Sequence, residues 1–311
     1  MKAMIKKSLV LLVLLWTGKA FGQQDPMYTN YVFNGLIINP AYAGTHDVLT
    51  STLLYRNQWV NIPGAPKTGI FSLDAPWTNE RVGLGLTVLY DKIGVSNRTK
   101  VCGAYSYKIE LGPGRLSFGL QVGVGFNTAK LTTVKYTEGT STDASFSENF
   151  NEVYPDFGLG LYYYTDRFYA GASIPEISGK AFVNSFSKKQ DATSFNQINH
   201  YFLTAGYLFD ITPDLKFKPS TLLKIVKGAP LELDINATTW FYDMFALGVS
   251  YRSLSSLNFF GQLKLTNQLS FGYAYEYAVT SMGDYSSGSH EVMLQYLFDF
   301  SHSKIVTPRF F

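Results

Sequence analysis

The alternation over residues 116–126 constrains the fold most. Leu116, Phe118, Leu120, Val122, Val124 and Phe126 stand at every second position, with Ser117, Gly119, Gln121, Gly123 and Gly125 between them. Successive side chains of a strand point to opposite faces, so one face is wholly apolar and the other small, polar and uncharged. A strand of a soluble sandwich buries its large side chains and exposes charged ones. This pattern fits a wall with lipid on one side and a wet lumen on the other. Leu84, Leu86, Val88 and Tyr90 repeat it against Gly83, Gly85 and Thr87, and Phe271, Tyr273, Tyr275 and Tyr277 against Ser270, Gly272, Ala274 and Glu276.

Alternation and turn residues mark fourteen strands. They cover 48–56, 67–75, 81–91, 98–109, 115–126, 155–164, 167–175, 199–209, 215–226, 231–240, 244–252, 256–265, 268–278 and 289–300. An even number of antiparallel strands returns the chain to the side where it started. Every second connection is short: 76–80, 110–114, 165–166, 210–214, 241–243 and 266–267. Most of the others are longer: 57–66, 92–97, 127–154, 176–198 and 279–288. Short periplasmic turns and long external loops are the asymmetry of an outer-membrane barrel. The connections around Gly228 and Leu254 are short on the long-loop side, which implies an uneven rim. The fold expected is all-β, a transmembrane outer-membrane β-barrel of about 14 antiparallel strands over 48–300.

Composition agrees. Charged residues make up 16% of the chain, against about 25% in ordinary soluble domains. There are 22 Tyr and 24 Phe, which suits the aromatic girdles of such barrels. Beyond residue 22 there is no run of about 18 apolar residues of the kind a transmembrane helix needs. The competing class is a secreted β-sandwich. The net charge of +3 is spread along the chain and leaves no nucleic-acid footprint.

Residues 1–22 read as a signal peptide. Lys2, Lys6 and Lys7 form its basic start, 8–16 its apolar core, and Ala20 and Gly22 its small-residue cleavage site. The mature chain then begins at Gln23, in the outer membrane, with both termini expected in the periplasm. Residues 23–47 carry Tyr28, Tyr31, Phe33, Leu36, Ile37 and Ile38, which need cover from water. They are expected to form a plug, with Asn39-Pro40 making the turn into the wall. Residues 301–311 form a periplasmic tail. Cys102 is the only cysteine, so no internal disulfide forms.

The expected inner face is charged but locally balanced. Lys216, Lys218 and Lys224 share the lumen side with Glu232 and Asp234 of the next strand. On the lipid face each such charge would cost about 2–4 kcal/mol at midplane. Pro219 within that strand signals a bulge or a distorted wall. Arg56 points inward at the end of the first strand, beside Glu291 of the last and Glu276 of the strand before it. A rim ion pair is the expected arrangement.

Gly83-x-Gly85, Gly123-x-Gly125 and Gly158-x-Gly160 sit in mid-strand rather than entering a helix, so they are lumen-facing glycines and not a nucleotide loop. His46, His200, His290 and His302 have no metal-ligand spacing. Asp143, Glu148, Glu152 and Asp156 match no compact calcium loop. No activated nucleophile is visible. Neither an enzyme nor a cofactor is expected.

The mature start reads Gln24-Asp25-Pro26-x-Tyr28-x-x-Tyr31, then Asn34, then Asn39-Pro40-Ala41-Tyr42-Ala43-Gly44. Arg56-Asn57-Gln58-Trp59, residues 64–68 (GAPKT), residues 72–76 (SLDAP), Gly83-Leu84-Gly85 and Asp91-Lys92-Ile93-Gly94 follow. In these blocks the chain resembles the PorP/SprF family of outer-membrane proteins, associated with type IX secretion and gliding motility. The resemblance is carried by residues 23–95 and by the ending at 307–311. It implies a barrel that binds an exported surface protein, such as an adhesin, through its C-terminal signal domain, for secretion or cell-surface attachment. Other secretion-system components and outer-membrane lipid are the further partners implied. Asn39-Pro40-Ala41 also resembles the N-terminal hatch of fatty-acid channels, which leaves a transport barrel for a small solute as the alternative. For partner binding, the aromatic residues of the long loops are the candidates: Trp59, Tyr136, Phe146, Phe150, Phe182, Phe186 and Tyr285.

Overall fold

The computed structural model describes residues 27–77, 80–133, 148–178 and 198–298. The expected tail at 301–311 and the expected signal peptide at 1–22 lie outside them. Fifteen β segments form one antiparallel sheet: β1 (Leu49–Asn57), β2 (Lys67–Trp77), β3 (Val82–Ile93), β4 (Ser96–Leu111), β5 (Gly114–Ala129), β6 (Phe150–Tyr164), β7 (Phe168–Ser178), β8 (His200–Tyr207), β9 (Phe209–Thr212), β10 (Leu215–Val226), β11 (Glu232–Phe241), β12 (Phe245–Arg252), β13 (Ser256–Lys264), β14 (Leu269–Ala278) and β15 (Ser289–Phe298). β15 pairs with β1, from Leu49 opposite Phe298 to Asn57 opposite His290, and so closes the sheet into a barrel. Closure leaves no unpaired edge, which a wall in lipid requires.

β8 and β9 are two parts of one wall strand, which makes fourteen in all. The register on β10 carries across the break, Gly206 opposite Ser220 and Phe209 opposite Phe217, and shifts only beyond it, between Lys216 and Leu215. The break at Leu208 lies beside Pro219. Proline has no N–H to give to a ladder, and the distorted wall expected there takes this form.

The barrel wall puts its large side chains outward. Leu120 is 54% exposed and Val122 60%, whereas Ser117 and Gln121 between and before them are buried. On β10, Lys218, Ser220 and Lys224 are buried, and Ile225 is exposed.

The strand limits differ from expectation most at one end of the barrel, called here the loop end; at the opposite end, where β1 starts and β15 finishes and which is the terminal end, β2 and β4 run on by two residues to Trp77 and Leu111. The expected loop at 92–97 is a tight turn at Gly94 and Val95, since Ile93 pairs with Ser96. Gly94 takes φ +55°, which glycine adopts without cost. β5 runs on to Ala129 and β6 starts at Phe150, so Phe150 sits on a strand opposite Ala129 rather than in a loop. The physical reason is water. Beyond the apolar band both faces are wet, so Ser96, Asn97, Asn127, Thr128 and Asn151 continue the ladder without any hydrophobic alternation to mark it.

Residues 27–46 lie inside the barrel. Three short 3₁₀ turns, Thr29–Val32, Gly35–Ile37 and Pro40–Tyr42, carry Tyr28, Tyr31, Phe33, Leu36 and Tyr42 into the core. Phe33 packs edge-on against Trp240 and Phe260, with ring centroids 5.8 and 5.7 Å away. The turn into the wall is not at Asn39-Pro40. Those residues sit against β5 and β6, where Asn39 Oδ1 accepts from Ala41 N and its Nδ2 donates to Leu161 O. The chain turns at Gly44, with φ +64°. Here the lumen-facing glycines find their use. A Cβ on Gly119 would fall on the backbone N of Ala41, and one on Gly160 on Oδ1 of Asn39. Bare glycine lets the segment's backbone lie directly on the wall.

Candidate functional site

At the loop end, parity along five strands points charged side chains at one another. Arg56 Nη2 donates to Glu276 Oε1 at 3.0 Å, and its Nη1 donates to Glu291 Oε1. Arg252 Nη1 donates to the other oxygen of Glu276 at 3.0 Å, and its Nε and Nη2 donate to Asp234 at 3.0 Å each. Glu232 lies 3.8 Å from Arg252. The network thus runs from β15 through β1, β14 and β12 to β11. Apart from Glu232, its members are almost wholly buried, and buried charges persist only where geometry and further hydrogen bonds offset their lost hydration. Glu291 has such bonds: it accepts from Thr29 N at 2.8 Å, Asn30 N at 3.0 Å and Asn30 Nδ2 at 2.9 Å. Through Glu291 the rim network therefore also holds the N-terminal segment.

Sequence reasoning missed Asp234, Arg252, Thr29 and Asn30 as members of this network. Inward parity at the end of β12 was a usable signal for Arg252. Nothing local marks Thr29 or Asn30, which meet Glu291 from the far end of the chain.

Above the network is a cavity of about 310 Å³. Its floor is charged, with Arg56, Glu276, Arg252 and Glu232, and its rim includes Trp59, Leu231 and Leu254. The loop carrying Trp59 is fixed to the loop carrying Tyr285. Val60 N donates to Gly288 O at 2.9 Å, and Ser287 N to Val60 O at 3.0 Å. Asn61 Nδ2 adds a bond to Ser287 Oγ at 2.6 Å. Trp59, Asn61 and Leu254 hold positive φ values of 48°, 76° and 59°. Non-glycine residues in that region cost about 1–3 kcal/mol each and persist where their surroundings impose them. Tyr285 is 76% exposed. The result is a charged floor under an apolar and aromatic rim, open to whatever lies beyond the loops.

Of the other aromatic candidates, one is described. Phe150 stands at the start of β6 on the opposite wall. Tyr136, Phe146, Phe182 and Phe186 lie outside the described residues. A second charged group lines that opposite wall: Lys100 lies 3.2 Å from Asp156, Arg98 lies 2.6 Å from Glu176, and Lys100 also pairs with Glu176. Asp156, weighed as a calcium ligand with Glu148 and Glu152, is thus an ion-pair partner. Among the described residues no group of His, Cys, Asp and Glu is placed to hold a metal ion. His290 Nδ1 is 2.7 Å from Tyr273 Oη, His46 is 3.6 Å from Asp74, and His200 stacks on Phe202.

Among solved structures, the chain is similar to the Ralstonia pickettii toluene transporter TbuX, with 9% identity, a TM-score of 0.50, and coverage of 85% of this chain and 93% of that one. It is also similar to the Acinetobacter baumannii outer membrane protein Omp33, with 9% identity, a TM-score of 0.49, and coverage of 82% and 100%. A Pseudomonas aeruginosa FadL homologue gives 12% identity, a TM-score of 0.45, and coverage of 89% and 96%. At such identities the likeness is of fold alone. No curated protein matches the chain significantly. The family model described as type IX secretion system membrane protein PorP/SprF matches residues 20–296.

Proposed function

The chain belongs to the PorP/SprF family of type IX secretion system membrane proteins, and from that premise we propose that its loop end binds an exported surface protein through that protein's C-terminal signal domain. The loop end faces outside and the terminal end the periplasm, by the usual asymmetry of outer-membrane barrels. The observation that carries the reading is the loop-end rim. Trp59 lines a cavity with a charged floor, and its loop is locked by backbone bonds to the loop that carries Tyr285. Tyr285 is exposed and Trp59 half-buried, and aromatic side chains on fixed loops suit a protein-binding anchor, because one buried aromatic side chain carries about 2 kcal/mol or more at an interface.

The alternative is a transport barrel for a small solute, as the printed name of TbuX says of that protein. A transporter needs a continuous lumen or an apolar ligand chamber. Residues 27–46, lying along the lumen, support a binding role instead, with the segment as a plug.

The test is affinity purification of the protein from the native outer membrane, with the wild-type rim and with Trp59→Ala/Tyr285→Ala. An exported protein with a C-terminal signal domain should co-purify with the first and be depleted with the second. Recovery of no exported protein, together with saturable solute uptake that needs the barrel, would establish the transporter instead.

A further inference from the structure

A row of outward-facing polar side chains crosses the loop end of the wall. Register sets His290, Asn57, Lys67, Lys92, Asn97 and Thr128 side by side, one from each of β15 and β1 to β5. The next row towards the terminal end holds Tyr55, Gly69, Tyr90, Thr99 and Phe126 on β1 to β5. The row after that is wholly apolar on the same strands: Leu53, Phe71, Val88, Val101 and Val124. Aromatic girdles mark the level at which hydrocarbon gives way to headgroups. Lys67 and Lys92 therefore stand on the lipid-facing side, just beyond the apolar band.

These two lysines lie directly opposite each other, and both are exposed. Side chains so placed have Cβ atoms about 5 Å apart, and like charges there repel. Among the described residues no other two cations face each other in register. Elsewhere the ladder sets a carboxylate opposite the cation: Glu291 to Arg56, Asp91 to Arg98, Glu232 to Lys224 and Asp234 to Arg252. Neither lysine has a hydrogen bond or ion pair from its side chain among the described residues, and the three outer rows carry no carboxylate.

Gly69 lies just below the pair, between Tyr55 and Tyr90. A Cβ built there would meet nothing within 4 Å. Its φ is not positive, so the backbone does not require glycine. The missing side chain opens a notch in the tyrosine row, leading down to Phe71 and Val88. The notch has a fixed frame. Gly94 N donates to Gly64 O at 2.9 Å, joining the loop ahead of Lys67 to the turn after Lys92, and Tyr90 Oη donates to Asn97 Oδ1 at 3.2 Å.

We propose that Lys67, Lys92 and the Gly69 notch bind one phosphorylated membrane lipid in the leaflet at the loop end. The phosphate sits between the two ammonium groups and offsets their repulsion through charge-assisted hydrogen bonds. One acyl chain descends through the notch onto Phe71 and Val88. Charge decides the class of lipid: two unpaired cations above an apolar wall match an anion that carries a hydrocarbon chain. A zwitterionic headgroup brings its own cation to the pair. The site lies on the outer wall, apart from the lumen network and the Trp59 cavity, and does not depend on the binding of an exported protein.

Native mass spectrometry of the full chain in a neutral detergent tests it. The probes are phosphatidylglycerol, phosphatidylcholine with the same acyl chains, and inorganic phosphate. The parent should retain a single phosphatidylglycerol and prefer it to phosphatidylcholine. Lys67→Gln/Lys92→Gln should weaken phosphatidylglycerol about 10-fold, as the loss of a charge-assisted hydrogen bond does, and abolish the preference. Both side chains are exposed near strand ends, so the variant folds, and faster migration of the unheated protein on a detergent gel checks that. Gly69→Leu keeps both charges, fills the notch and should weaken both lipids. Undiminished retention of phosphatidylglycerol by either folded variant overturns the proposal. Displacement of the lipid by a molar excess of inorganic phosphate also overturns it, since the ligand would then be a free anion.

Discussion

Glu291 grips Asn30 twice: one carboxylate oxygen accepts both the backbone N–H, at 3.0 Å, and the side-chain amide, at 2.9 Å, of a residue at the other end of the sequence. The other oxygen accepts from Thr29 N at 2.8 Å and from Arg56. One side chain on the last strand therefore ties together the first strand and the segment that precedes it. A carboxylate with four donors is well stabilised without water, which is how it stands buried in the lumen.

The first prediction follows from that grip. Glu291→Ala leaves Arg56 with Glu276 alone and frees two backbone N–H groups. Breaking a buried pair on one side costs about 3–5 kcal/mol. The barrel ladder does not depend on Glu291's side chain, so the loss should fall on the segment. Hydrogen exchange should speed up over residues 28–33 while β1 and β15 stay protected. Unchanged exchange in the segment would mean that packing, not Glu291, holds it.

The second uses the glycines. Gly119→Ala puts a methyl group on the backbone of Ala41, where neither side can yield easily. Overpacking of this kind costs about 1–3 kcal/mol. Gly103→Ala, on the lipid side, meets nothing nearer than 3.9 Å and should fall within about 0.5 kcal/mol of the parent. Denaturant unfolding of the two variants in the same detergent compares them. Equal stability would remove the claim that Gly119 is bare to admit the segment.

The third concerns the rim. Trp59→Ala should weaken partner binding about 10- to 30-fold, from a loss of about 1.4–2 kcal/mol. The folded barrel should be unaffected. Binding of a purified C-terminal signal domain to barrels in nanodiscs gives the ratio directly. A change of less than twofold would take Trp59 out of the interface.

The fourth concerns closure. With β15 hydrogen-bonded to β1 along Leu49–Asn57, the barrel has no edge from which to unzip. The unheated protein should migrate faster than the boiled one on a detergent gel and resist carbonate extraction. Release by carbonate would contradict a spanning barrel.

Much of the wall was legible in the sequence because lipid and lumen impose opposite demands on alternate residues. The alternation over 116–126 set which side of β5 is wet, and parity alone placed Lys218, Lys224 and Asp234 inside. The strands overran that reading most at the loop end, at residues 96–97, 127–129 and 150–154, above the apolar band, and by two residues at Trp77 and Leu111. The split of one strand at Leu208 was half legible, through Pro219 on its neighbour.

The candidate site was less legible. The sequence alone determined that Arg56, Glu276 and Glu291 would converge, since each is inward by parity on strands that closure makes neighbours. It also determined that residues 23–47 are too apolar to stay in water. Only the tertiary structure decided what residues 27–46 pack against, and that Glu291 ties Thr29 and Asn30 to Arg56 and, through Glu276, to Arg252 in a single network. Period-two alternation is a local property, fixed by the solvent on each face of a strand. The grip of Glu291 on Asn30 is a contact between chain ends. It forms only when the barrel closes and removes both groups from water, and no spacing in the sequence encodes it.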